Sequence, residues 1–172
     1  MAVDVLIVYA TRHGAAREIA HGLWERMNGD FSVQIKPADE VHDLDDVGAV
    51  VLGGSLYMGR WHPEARRFLK RFRRLLAKMP FAVYALGPLK ATEHDLAASR
   101  KQLDHALAKV PEAKPRTVAV FGGVIDPTKL HFPFNHMPAS DARDWDEIDG
   151  WTASLPEALD LVREREPEPA IA

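Results

Sequence analysis

A chain of 172 residues, 47% hydrophobic and 27% charged, suits one globular domain with a core of its own. The absence of cysteine excludes disulfides, thiolate metal sites, redox dithiols and a cysteine nucleophile. A net charge of −3 argues against a general nucleic-acid binder, and no apolar run approaches the length of a membrane span. The N-terminus runs into an apolar strand without a signal peptide, so the cytoplasm is the expected location.

Val5-Leu6-Ile7-Val8 has the length and β-branched character of a strand buried on both faces. The period then changes: Ala16, Ile19, Ala20, Leu23 and Met27 fall at helical spacing, with Arg17, Glu18, Glu25 and Arg26 opposite. Asn28-Gly29-Asp30 stops that helix, and Phe31–Ile35 alternates as an outer strand would. The acidic stretch Pro37–Asp46 is expected to hold one helical turn, and Ala49–Leu52 is a third strand ending in Gly53-Gly54-Ser55. Pro63 opens a helix whose stripe is Ala65, Phe68, Leu69, Phe72, Leu75, Leu76 and Met79, closed by Pro80. Phe81–Leu86 is the fourth strand, Asp95–Lys109 a helix, and Thr117–Phe121 the fifth strand. Val124–Arg143, rich in proline, histidine and phenylalanine, shows no regular period. Asp144 and Glu147 form a capping box for a last helix with Ile148, Trp151, Leu155, Leu159 and Val162 inward and a bend at Pro156. The domain is expected to span 1–163, with 164–172 a disordered tail of alternating Glu and Pro.

Strands alternating with helices predict an α/β fold, a doubly wound five-stranded parallel sheet in the order 2-1-3-4-5 with helices on both faces. Ligands bind such sheets beyond the carboxyl ends of the strands, where the order reverses. The loops Thr11–Ala16, Ser55–Trp61 and Gly87–Glu93 should meet there. The first enters a helix, so its unpaired N–H groups and the positive end of the helix dipole favour a phosphate, with the Thr11 hydroxyl beside them. It carries neither a Walker A lysine nor the three glycines of a dinucleotide fingerprint, so ATP and NAD are not supported.

The run Tyr9–Ala20, Y-A-T-R-H-G-A-A-R-E-I-A, resembles the FMN-phosphate loop of flavodoxin-like proteins. It is most similar to that of the quinone-linked protoporphyrinogen oxidases of haem biosynthesis, S-T-R-D-G-x-T-R-E-I-A. Thr11, Arg12, Gly14 and Arg17–Ala20 match, while Ala10 and Ala16 stand where that family has serine and threonine. The segment V-V-L-G-G-S-L-Y-M-G-R-W-H resembles the family's V-I-G-A-S-I-R-Y-G-H-Y-H, sharing Gly53, Ser55, Gly59 and His62. The resemblance implies an FMN-dependent oxidoreductase. It places the cofactor against Thr11, Arg12, His13, Gly14, Ala15 and Ala16, then Ser55, Leu56, Tyr57, Met58, Gly59 and Trp61, and finally Gly87, Pro88 and Leu89. Tyr57 and Trp61 are the candidates to stack on the flavin ring. No catalytic side chain is singled out, and His131 and His136 lack the companions of a metal site.

The resemblance implies a quinone or another redox partner, and a small-molecule or porphyrinogen substrate. The Val124–Arg143 stretch, with Asp126, Lys129, His131, Phe132, Phe134 and His136, is shorter than the family's insertion. On the helix over 63–79, Arg66, Arg67, Lys70, Arg71, Arg73, Arg74 and Lys78 face the single acid Glu64. That face is a solvated helix surface, or else a contact for an acidic redox partner or the inner face of an anionic membrane. An electron-transfer flavodoxin without its own substrate, and a flavin-free binding module, remain as alternative readings of the same pattern.

Overall fold

A computed structural model describes residues 2–87, 92–129, 132 and 134–162. Its main sheet is built from β1 (Val3–Ala10), β2 (Val33–Pro37), β3 (Val47–Tyr57), β5 (Phe81–Leu86) and β6 (Thr117–Phe121) in the order β2-β1-β3-β5-β6, all parallel. The two-residue β4 (Arg60–Trp61) folds back antiparallel on the end of β3. Leaving β4 aside, this is the doubly wound order expected from the pattern. The order reverses between β1 and β3, where Ala10 lies beside Gly54.

Alternation along each strand divides the core between two faces. Val5, Ile7, Val51 and Tyr84 point to one face, which α1 (Ala15–Met27) and α5 (Trp145–Ala158) cover with Ile19, Leu23, Ile148 and Leu155. Leu6, Val8, Leu52 and Val83 point to the other. There they meet α2 (Pro63–Arg71), α3 (Arg73–Leu76) and α4 (Glu93–Ala108) through Phe68, Leu69, Leu76 and Leu103. Each large side chain withdrawn from water this way contributes about 1.5–3 kcal/mol.

The glycines after Leu52 do not end β3, which continues to Tyr57. They are there because aromatic rings cross the strand. A Cβ on Gly53 would stand 1.8 Å from the Tyr84 ring, and one on Gly54 would stand 2.8 Å from Trp61 Nε1 on the opposite face. The Tyr84 hydroxyl donates to the Ala16 carbonyl at 2.8 Å, tying the middle of the sheet to the first turn of α1. Burial of the phenol raises its pKa far above the usual tyrosine value, so it remains a donor at any ordinary pH.

Three other expectations change. The helix over 63–79 breaks at Phe72, where φ −99° and ψ 15° leave the helical region, so Leu75 rotates out of the stripe and is 49% exposed. Val162 is 84% exposed because α5 ends at Ala158 and the chain reverses through Asp160 at φ 54°. Pro156 falls in the last turn of α5. Among the described residues of the Val124–Arg143 stretch, β7 (Val124–Ile125) pairs antiparallel with β8 (Ser140–Asp141), and single 3-10 turns lie at Pro127–Lys129 and Phe134–His136. Arg143, its side chain almost enclosed, pairs with Asp141 and with Glu18 of α1, holding this excursion against the sheet end. Asp144 caps α5 as expected, accepting from the Asp146 and Glu147 amides. Residues 164–172, expected to form a tail, lie outside the described residues.

Because the Tyr84 ring fills the space above Gly53, Gly53→Ala should lower stability by about 3 kcal/mol through overpacking. Tyr84→Phe, which loses one buried hydrogen bond, should lower it by about 1 kcal/mol. Urea denaturation of both variants at neutral pH measures the two effects.

Candidate functional site

At the carboxyl ends of β1, β3, β5 and β6 lies a cleft of about 770 Å³, within the range of roughly 300–1,000 Å³ usual for ligand sites. The turn after β1 forms one end. Gly14, at φ 94°, is the N-cap of α1, a left-handed conformation that favours glycine. The Thr11 hydroxyl oxygen accepts from the Gly14 amide at 2.9 Å, so this N–H is committed inside the turn while the hydroxyl proton is left to donate. The amides of Ala15, Ala16 and Arg17, in the first turn of α1, have no acceptor four residues back.

The alanines of this turn behave differently from one another. Ala15 lines the cleft, whereas the side chains of Ala10 and Ala16 are turned into the packed core, Ala16 being 0% exposed. A hydroxyl added at either position would meet the core, not the cleft; of this turn, Arg12, His13 and Ala15 line the cleft, and Thr11, Gly14 and Ala16 do not. His13 presents its carbonyl outward, and Lys129 Nζ donates to it at 3.2 Å, reaching across from the excursion after β6. The same ammonium is 3.7 Å from where a Cβ on Gly14 would be. Arg12 stands at the same end of the cleft. Cations at the N-terminus of a helix oppose its dipole, and an anion between them relieves that repulsion. Asp126, 3.9 Å from Lys129, is held ionised by hydrogen bonds from the Thr128 side chain and amide, which lower its pKa.

The second wall is the β3–β4 hairpin. Met58 at φ 51° and Gly59 at φ 76° make its two-residue turn, both positive as a type I′ turn requires. Methionine is a poor residue there, yet Met58 stays 78% exposed at the rim of the cleft. Tyr57 is 45% exposed, and the Arg12 guanidinium lies 4.6 Å over its ring, linking the hairpin to the first turn. Trp61, the other aromatic expected to stack, is 1% exposed, with its indole N–H on the Gly54 carbonyl at 3.0 Å. It forms the floor of the cleft, so Tyr57 is the aromatic with ring surface to offer. Ser55 and Leu56 run along the same wall, and the Ser55 carbonyl accepts from the His62 amide.

His62 faces the cleft and caps α2, its Nδ1 accepting from the Glu64 amide at 3.1 Å. Burial, with smaller contributions from the cations Arg12, Arg66 and Arg67, lowers its pKa, and Glu64 opposes them. With Nδ1 accepting, the proton of the neutral ring sits on Nε2.

Leu86 and Gly87 close the side below β5; Pro88 and Leu89 lie outside the described residues. Sequence reasoning missed Lys129 as a partner of the first turn, Gln102 and Ser99 contributed by α4, and Val124, Ile125 and Met137 on the far wall. The position of the excursion after a strand end signalled that it would lie nearby. No periodicity could pick out the reach of one lysine over 116 residues of chain. Among the described residues no group of three His, Asp or Glu is placed to hold a metal, and no helix is long and apolar enough to cross a membrane.

A family model described as a flavodoxin domain matches residues 6–137, most of the chain and every element that builds this cleft. The chain belongs to the flavodoxin domain family. No curated protein matches it. Among solved structures, this flavodoxin domain superposes on a point mutant of flavodoxin from Pseudomonas aeruginosa with a TM-score of 0.58 at 17% identity, covering 91% of this chain and 99% of that one. It superposes on a flavoprotein from Lactobacillus acidophilus, solved in complex with FMN, with a TM-score of 0.51 at 12% identity over 69% and 93% of the two chains. With rubredoxin oxygen:oxidoreductase from Desulfovibrio gigas the TM-score is 0.52 at 17% identity, and 91% of this chain covers 36% of that larger one. These likenesses establish the fold.

Two variants probe the strained and titrating parts of the cleft. Because the folded state lowers the His62 pKa, its contribution is fully present above the unfolded value of 6.5 and is lost as pH falls through the folded pKa. His62→Asn keeps a capping oxygen but does not titrate, so stability of the wild type should fall relative to this variant between about pH 7.5 and 5 in urea melts. Met58→Asn should raise stability by about 1 kcal/mol by relieving the left-handed conformation, which the same melts at neutral pH would show.

Proposed function

We propose that the cleft binds FMN and that the protein is a redox flavoprotein. The observation that carries this reading is the first turn of α1, overhung by Lys129, opening directly into an apolar cleft flanked by Tyr57. The parts fit the cofactor chemically. A phosphate dianion suits the amides of Ala15, Ala16 and Arg17, the Thr11 hydroxyl proton and the Lys129 ammonium. A flat, apolar ring system suits Leu56, Met58, Val124 and Ile125, with Tyr57 offering its aromatic face. The flavoprotein of the same fold solved with FMN adds support.

Bound there, FMN would supply one- and two-electron transfer, and this chain's residues would supply position, stacking and charge. Lys129 and the helix terminus would hold the phosphate end. Arg12, stacked on Tyr57, brings positive charge between the phosphate turn and the ring wall. Trp61 and Ser99 close the floor and side against water.

Within this reading we favour an oxidoreductase coupled to a quinone, of the protoporphyrinogen dehydrogenase type. Its support is the set of loop residues shared with that family, Thr11, Arg12, Gly14 and Arg17–Ala20 in one loop and Gly53, Ser55, Gly59 and His62 in the other. Anaerobic incubation of the FMN-loaded protein with protoporphyrinogen IX and menadione, followed by porphyrin fluorescence, tests this finer assignment. Turnover no faster than with free FMN would leave an electron carrier.

The cofactor itself is tested by titrating apoprotein with FMN and with riboflavin and following flavin fluorescence quenching. FMN should bind with a Kd of about 1 μM or tighter, or roughly −8 kcal/mol, and riboflavin at least tenfold more weakly. Lys129→Gln should weaken FMN about fivefold, the ~1 kcal/mol scale of a half-exposed charge pair, and leave riboflavin unchanged. No quenching at tens of micromolar would end the FMN reading.

A further inference from the structure

Between Pro63 and Met79 seven basic residues stand against one acid, in a chain whose net charge is −3. Four of the seven gather along one concave surface. Arg66, Arg67, Lys70 and Arg73 form one wall of a groove of about 570 Å³ between α2 and the end of α4, and Lys109 stands on the other wall. Leu69, Ala106 and Val110, all buried, make an apolar floor. Of the acids nearby, Glu112 is held by Arg73 at 3.3 Å and Glu64 by Arg67. Like charges gathered around a concave, partly apolar surface repel one another, and the local potential selects a partner of opposite sign.

The shape narrows the choice. A bilayer surface is met by a convex apolar helix face, whereas this surface is a trough. Nucleic-acid grooves add aromatic rings for bases to stack on, and the described residues lining this groove include none. A protein segment that alternates carboxylates with an apolar side chain matches both the cationic walls and the apolar floor.

The groove also borders the cleft. Pro63 and Arg66 line both, and Arg66 Nε is fixed at the junction by the Trp61 carbonyl at 2.9 Å. We infer that the groove between α2 and α4 docks an acidic segment of a partner protein, seating that partner at the mouth of the cleft. What the partner does there rests on the FMN reading; the docking itself does not.

The test is amide-shift mapping by NMR on the ¹⁵N-labelled full chain, with and without FMN, titrated at low ionic strength with the peptide Ac-EELEELEE-NH2. Shifts should concentrate on 63–73 and 106–112 and shrink with added salt. The double variant Lys70→Glu/Lys109→Glu should weaken the peptide at least tenfold, with Lys70→Gln/Lys109→Gln serving if the reversal does not fold. Shifts spread equally over Arg26, Lys36 and Arg116, an undiminished response in the variants, or equal binding of Ac-QQLQQLQQ-NH2 would overturn the proposal. So would phosphatidylserine vesicles or a single-stranded oligonucleotide binding the same residues more tightly than the peptide. Failure to bind FMN with the peptide still mapping to the groove removes only the reading of the cleft; FMN binding without the peptide footprint removes only the docking surface.

Discussion

The buried contact between Tyr84 and Gly53 fixes the geometry on which the rest of the molecule depends. Tyr84 stands on a strand enclosed on both sides, and its ring lies over a position of β3 with no side chain to displace. Only then can its hydroxyl reach the Ala16 carbonyl and set the height of α1 above the sheet. Phe121 and Trp151 pack against the same ring at centroid distances of 6.3 and 6.0 Å, so α5 and β6 take their places from it as well. The first turn of α1 is thus held by the core as well as by the Thr11–Gly14 hydrogen bond of its own loop.

On the opposite face Trp61 plays the corresponding part. It lies over Gly54, donates to the Gly54 carbonyl, and carries the hairpin that bears Tyr57 and Met58. The two adjacent glycines therefore serve two aromatic rings on two faces, a consequence of the period of two in a strand. A tryptophan used as a floor is no longer available as a wall. This leaves Tyr57 with the exposed ring and puts the positive φ of Met58 at the rim, where backbone strain and apolar exposure coincide.

Electrostatics divides the surface in a way that net charge conceals. Lys129 and Arg12 gather at the positive end of α1, and a separate row of cations borders the groove along α2. Arg66 joins the two regions. The overall charge of −3 conceals these concentrations because it sums 25 acids against 22 bases over the whole chain. Charge placed this way acts locally, over about a Debye length, on whatever enters the cleft or lies beside it.

The sequence by itself determined the sheet, its order and the loops that meet at its switch point. Apolar runs such as Val5–Val8 and Phe81–Leu86 are buried whichever partners they find, and the helical stripes follow from a period that tertiary packing seldom overrides. It also pointed to the loops after β1 and β3, whose Arg12, His13, Ala15 and Ser55–Trp61 line one cleft. Local pattern could not say which way a residue faces once the chain is folded. Ala16 and Ala15 are neighbours in a favourable turn, yet one is core and the other lines the cleft. Trp61 and Tyr57 lie close together in sequence, and only packing across Gly54 decides which is buried. The glycines after Leu52 read as the end of a strand because the rings they accommodate belong to other strands, which the local pattern does not show. Lys129 reaches His13 across most of the chain, and the groove needs α4 laid beside α2. These features are contacts between separate segments, and a periodic pattern carries no record of which distant side chain will occupy a given space.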